Sequence, residues 1–299
     1  ATYMMGFAER DKMFRIASGP AGGDYHWTEV LMKNVPQHLM DGIALHYYAV
    51  IDWNKKGPSK DFTEEHYFNT MQQAWKMDEY VRGHKAVMDK YDPQKKLALV
   101  VDEWGGWYDV EPGTNPGFLY QQNTMRDAMI AGMTLNIFNN NSDRVRMANL
   151  AQTINVLQAV ILTDKEKMIL TPTYHVMEMY NVHHDALLLP LEIKGADYVY
   201  NGQKLPAVNA SASKDKTGAV HLSLVNIDAA KTQKVTIQIS GAAYKNVSGR
   251  MVASPKIQDH NTFEMPDKIK PVPFKGAKLS GNNLEVTLPP ASVVVLQLQ

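Results

Sequence analysis

Residues 97–108 read Leu97-Ala98-Leu99-Val100-Val101-Asp102-Glu103-Trp104-Gly105-Gly106-Trp107-Tyr108. An unbroken apolar run rich in Val and Leu suits a parallel strand covered on both faces, and parallel α/β folds place their working groups at the C-terminal ends of such strands. Glu103 stands at that end. Two glycines then free the backbone, and Trp104, Trp107 and Tyr108 offer flat apolar faces of the kind that pack against sugar rings. The stretch therefore has two readings: a carboxylate nucleophile beside a ring-binding wall, or a strand-end acid paired with a nearby Arg or Lys.

Outward from this strand, short apolar runs alternate with longer helical patterns from Phe14 to about His183, the mark of a parallel α/β sheet. The strand candidates are 14–17, 42–46, 97–101 and 134–138. Between the second and third, Thr63 caps a long helix with Glu64 and Glu65 in its first turn, where the helix dipole favours anions. Its apolar stripe runs Tyr67, Met71, Ala74, Met77, Val81, Met88 and Tyr91, with the polar His84 in register, and Pro93 ends it. A further helix is expected over 144–162, with Met147, Leu150, Ile154, Leu157 and Ile161 on one face.

The pattern changes near Leu189-Pro190. From there to Gln299 it alternates with period two, as in Val220, Leu222, Leu224 and in Val294, Leu296, Leu298, punctuated by clusters such as Ser280-Gly281-Asn282-Asn283. This predicts an antiparallel β-sandwich over residues 186–299, after an α/β region over residues 1–185. A (β/α)8 barrel takes about 250 residues and eight strand–helix units. Four units fit here, so the expected architecture is the C-terminal half of a TIM barrel followed by a jelly-roll-like sandwich, with a small open sheet as the alternative. Residues 1–14 look like the middle of a helix, which favours a truncated barrel.

Lys+Arg and Asp+Glu balance at 31 each, so the chain has no basic field for nucleic acid and no polybasic membrane patch. No apolar run approaches the roughly 20 residues that span a bilayer. With no Cys, thiolate metal sites and Cys nucleophiles are excluded, while the compartment stays open. There is no H-E-x-x-H, G-x-S-x-G or G-x-x-x-x-G-K, and the histidines lack metal-ligand spacing, so no metal and no cofactor is expected.

Each strand candidate ends in polar or aromatic residues: Ser18-Gly19-Pro20 with Asp24 to Glu29, then His46-Tyr47-Tyr48, then Glu103 and Trp107, then Asn139 to Asp143. Together these endings suggest a site for a polyol or sugar. Among the histidines, His46 stands out because it ends an inward-facing strand beside Tyr48.

At Leu45-His46-Tyr47-Tyr48, at Val101 to Tyr108, at Met147 to Leu157 and at Thr171-Pro172-Thr173-Tyr174-His175-Val176, the chain resembles the C-terminal part of an α-L-arabinofuranosidase of glycoside hydrolase family 51. Asp24-Tyr25-His26-Trp27-Thr28-Glu29 agrees. The resemblance implies a (β/α)8 barrel with a C-terminal sandwich and a retaining, exo-acting activity. That activity releases terminal, non-reducing-end arabinofuranose from arabinan, arabinoxylan or their oligosaccharides. It makes Glu103 the nucleophile at the end of the seventh barrel strand and Tyr48 its orienting donor at the end of the sixth. His46, Trp107 and Gln152 become substrate-binding residues, Trp107 as a pocket wall and Gln152 near the start of the last barrel helix. Family members are commonly hexameric, which implies a homo-oligomer.

Two departures stand out. The family often has Asn-Val where this chain has Gly105-Gly106. Its general acid/base, a Glu in a Gly-Asn-Glu stretch, has no counterpart here. Retaining hydrolysis needs two carboxyl groups about 5–5.5 Å apart, and Glu29 and Glu64 suit helix starts better than catalysis. The N-terminal half of the same enzyme is then the expected partner. A β-glycanase of the same clan and a noncatalytic, carbohydrate-binding remnant are the competing readings. The absence of Trp from residues 190–299 weakens the latter.

Overall fold

A computed structural model of the chain describes residues 13–299, so the helical reading of the opening residues falls almost wholly outside it. Strands β1 (Ile16–Ala17), β2 (Gly42–Ala49), β3 (Ala98–Gly106) and β4 (Val145–Leu150) form a parallel sheet in that order. Helices α1 (Tyr25–Asn34), α2 (Glu64–Tyr91) and α3 (Met125–Asn140) connect them. Thr63 caps α2 by accepting from the His66 amide, and Tyr67, Met71, Ala74, Met77, Val81, His84 and Met88 are buried along it, as its stripe predicts. Each large apolar side chain buried this way contributes about 1.5–3 kcal/mol.

Two expectations fail. Residues 134–138 belong to α3, and the helix expected over 144–162 is β4, a loop and the start of β5 (Ile161–Asp164), which pairs with β6 (Lys167–Leu170). The cause is the position of α3 between two layers. It packs on β3 and on strands of the C-terminal region, so it is buried on nearly every side and loses the one-faced pattern that marks a surface helix. Closeness of approach explains Gly132, where a Cβ would lie 2.9 Å from Val225. Edge strand β4, by contrast, leaves Arg146, Met147 and Asn149 half or fully exposed, so it lacks the apolar run of a covered strand.

The polar run Asn139 to Asp143 consequently lies at the entry of β4, opposite to the end that carries Glu103. Asp143 pairs there with Lys85 at 2.6 Å and with Lys95. Beside it, the fully buried Arg144 donates to Asp92 Oδ2 at 2.7 Å and to the Leu97 carbonyl at 2.9 Å, fastening β4 to the entry of β3.

After helix α4 (Pro172–Tyr180) the strands build an antiparallel sandwich. Strands β7 (Leu187–Leu189), β10 (Val208–Lys214), β11 (Val220–Asn226), β13 (Val247–Ala253), β14 (Val272–Pro273) and β17 (Ser292–Leu298) form one sheet in the order β14-β13-β17-β11-β10-β7. Strands β12 (Gln233–Gln238), β16 (Asn283–Leu288) and β15 (Ala277–Ser280) form the other, and β8 (Asp197–Tyr200) with β9 (Gln203–Pro206) makes a hairpin. Leu222, Leu224, Leu284, Val286, Val294 and Leu296 fill the space between the sheets. On the other face of the larger sheet, Val225, Val293 and Val295 join the core beneath α3, which makes one continuous apolar layer from the parallel sheet to the sandwich.

Candidate active site

The site is built on a break in strand register. Ala44 pairs with Val100 but His46 pairs with Glu103, so β3 carries one residue more than β2 over this interval. On its other side Val101 and Trp104 pair with Ala148 and Leu150, again with one extra residue on β3. Val101 and Trp104 both face the helix-side core, three positions apart where regular alternation would give two. The bulge therefore sits at Asp102-Glu103 and turns Glu103 onto the face that carries His46 and Tyr48, as bulges next to functional sites re-aim a side chain.

There the Tyr48 hydroxyl donates to Glu103 Oε2 at 3.0 Å. His46 lies between the two acids, its Nε2 3.0 Å from Asp102 Oδ1 and its Nδ1 3.6 Å from Glu103 Oε2. Burial, followed by the bond to the Glu103 carboxylate, pushes the Tyr48 phenol well above its ordinary range, so it remains a donor at any working pH. Glu103 is half exposed and open to a ligand. Tyr48 meets Trp107 edge-on at 5.0 Å, and Trp107 meets Trp53 edge-on at 5.5 Å. Ala21, Gly22, Tyr47, Asp52 and Lys76 also line this open cleft of about 610 Å³.

The structure thus brings four of the five expected residues together: Glu103, Tyr48, His46 and Trp107. It does not bring Gln152 to the cleft wall. Gln152 is exposed in the loop after β4, not in a helix, although Ala151 before it donates its amide to the Trp104 carbonyl at 3.2 Å. Glu29 is held by Lys90 and Tyr91 at 2.8 and 2.7 Å, partway along α1 and not at its start. Glu64, in the first turn of α2, accepts from the Tyr198 hydroxyl at 2.9 Å.

Trp53 and Asp52 escaped the reading of the sequence. The signal is present, since Trp53 follows the end of β2 as Trp107 follows the end of β3. The glycine departure has a local cause. Gly105 has φ +138°, a conformation that L side chains rarely adopt, and a Cβ on Gly106 would fall 2.5 Å from the Tyr108 hydroxyl oxygen.

Fold and site together define an α/β protein with a tyrosine-held carboxylate at the C-terminal ends of parallel strands and an antiparallel sandwich packed behind. Residues 102–292 match the family model described as the α-L-arabinofuranosidase C-terminal domain, and the chain belongs to that family. Over its whole length it is 44% identical to an intracellular exo-α-L-arabinofuranosidase of Bacteroides ovatus, of which it spans 58%. The crystal structure of a family 51 arabinofuranosidase from Xanthomonas axonopodis pv. citri superposes with a TM-score of 0.94 at 47% identity, covering 96% of this chain and 58% of that one. An α-L-arabinofuranosidase from Thermotoga maritima shares the fold, with a TM-score of 0.75 at 23% identity over 99% of this chain and 59% of that one.

Proposed function

We propose that this chain supplies the nucleophile side of a retaining, exo-acting α-L-arabinofuranosidase that removes terminal arabinofuranosyl residues from arabinan, arabinoxylan or their oligosaccharides. The observation that carries the reading is the 3.0 Å bond from Tyr48 to Glu103 inside a cleft walled by Trp107 and Trp53. In the first step a Glu103 oxygen attacks the anomeric carbon while the glycosidic oxygen leaves with a proton from a second carboxylic acid. In the second step water, deprotonated by that same group, releases arabinose from the glycosyl ester with net retention. Tyr48 keeps the attacking carboxylate aimed. His46 flanks the same carboxylate from the neighbouring strand and reaches sugar hydroxyls, and the indole of Trp107 covers a face of the ring.

We assign the acid to a separate segment carrying Gly-Asn-Glu, which together with residues 1–185 closes a (β/α)8 barrel; residues 186–299 form the second domain. Both edges of the parallel sheet suit such a partner. Ile16 on β1 and Met147 on β4 are exposed, and a groove of about 580 Å³ lined by Leu135, Phe138, Val145 and Tyr174 runs beside β4. The test uses two substrates on the 299-residue chain. An activated aryl arabinofuranoside, whose good leaving group needs little protonation, is expected to turn over slowly and an arabino-oligosaccharide not at all. Addition of the upstream segment then brings oligosaccharide turnover. Efficient oligosaccharide hydrolysis by the chain alone would contradict the two-part site and move the acid role to Asp52, which lines the same cleft as Glu103.

A further inference from the structure

Past Trp104, strand β3 loses its partner on the β4 side, since the last paired residue of β4 is Leu150. Two fully buried side chains replace the missing strand. Gln121, from the segment before α3, makes a two-point match to the backbone: its Nε2 donates to the Gly106 carbonyl at 3.0 Å and its Oε1 accepts from the Tyr108 amide at 2.9 Å. Gln158, from the loop after β4, accepts from the Gly106 amide at 2.6 Å. Its own Nε2 donates to the Asp127 carbonyl at 2.8 Å and to Thr173 Oγ1 at 3.1 Å, which ties the loop to α3 and α4. Trp107 sits between the two clamped residues. Its amide faces the Ala49 carbonyl at 3.4 Å, the long end of hydrogen-bond range, so its own backbone bond is the weakest of the set.

We propose that Gln121 and Gln158 are positioning residues that set substrate affinity by fixing Trp107 over the cleft, a role that rests on the arabinofuranosidase reading. A side-chain carboxamide can mimic a strand because it presents one donor and one acceptor side by side. Its loss leaves buried backbone groups of Gly106 and Tyr108 without partners and frees the segment to shift. The indole then moves although Glu103, anchored by Tyr48 and by pairing on both sides of the bulge, does not. Affinity falls and the chemical step is spared.

The experiment compares Gln121→Met and Gln158→Met, which keep volume and remove both polar atoms, with Trp107→Ala and the double variants, on an activated aryl arabinofuranoside. Each Gln variant is expected to raise KM about tenfold with kcat within about threefold of the parent. In the Trp107→Ala background the same change should add less than about twofold. Should one variant fail to fold, the other decides, because each clamps the segment alone from its own side. Additive effects, or an unchanged KM with only a lowered Tm, would overturn the proposal. The indole N–H resonance of Trp107, assigned with Trp107→Phe, gives a readout free of substrate, and it should shift or broaden in both Gln variants. An unmoved indole overturns the positioning role, whereas a moved indole with no turnover even after the upstream segment is added overturns the arabinofuranosidase reading instead.

Discussion

At the scale of residues, the site depends on what surrounds Glu103. A half-exposed carboxylate has no strong reason to hold one orientation in water, and the Tyr48 hydroxyl supplies one at 3.0 Å. A hydrogen bond to a charged group contributes roughly 1.5–3 kcal/mol. Tyr48→Phe keeps the ring that packs against Trp107 but removes that donor. We expect at least about a tenfold fall in kcat on an activated arabinofuranoside with Tm within a few degrees of the parent. A collapse in Tm with an unchanged rate per folded molecule would make Tyr48 structural. Titration adds a second expectation, at His183, which lies between Ser213 Oγ at 2.7 Å and Ser223 Oγ at 2.5 Å. Burial first, then the nearby His221 and His184, lowers its pKa to about 4. In the unfolded chain it titrates near 6.5, so between pH 6.5 and 4 the unfolded state binds the extra proton and stability falls as pH falls. Relative to His183→Gln, the parent should lose about 2–3 kcal/mol across that window by denaturant titration at each pH. Parallel curves for the two proteins would contradict this.

At the scale of elements, legibility followed covering. Strand β3 and helix α2 could be read because each has a pattern set by its own layer: an apolar run buried on two faces, and a stripe buried on one. Helix α3 could not, since burial on nearly every side removes the amphipathic signal, and the alternation Thr134-Leu135-Asn136-Ile137-Phe138 imitates a strand. Strand β4 was hidden by its exposed edge, and the chance spacing of Met147, Leu150, Ile154, Leu157 and Ile161 imitates a helix. Site residues show the same division. Glu103, Tyr48, His46 and Trp107 announce themselves at strand ends. The bulge that turns Glu103 inward, and the two glutamines that stand in for a strand, depend on register and tertiary contact and leave no local mark. Where β4 enters the sheet, Arg144 is fully buried with Asp92 at 2.7 Å, and Asp92 Oδ2 also accepts from the Leu97 amide at 2.8 Å. Removing one partner of a buried pair strands the other charge, so Arg144→Ala should cost about 3–5 kcal/mol in chemical denaturation. A loss under about 1 kcal/mol would mean that water reaches Asp92 and that the staple is weaker than its burial implies.

At the scale of the whole molecule, the parallel sheet and the sandwich share an apolar layer through α3, so the strand ends that carry Glu103 rest on a rigid base. In the proposed mechanism Glu103 forms the covalent bond to the sugar. The direct measurement is to trap that bond with a 2-fluoro-arabinofuranoside bearing a dinitrophenyl leaving group, which departs with little acid assistance. The fluorine slows hydrolysis of the ester by destabilising the oxocarbenium-like transition state. Peptide mass spectrometry of the treated chain should find one 2-deoxy-2-fluoro-arabinofuranosyl adduct, on the peptide containing Glu103, and none in Glu103→Gly. An adduct on a peptide lacking Glu103, or the same adduct in Glu103→Gly, would contradict the assignment.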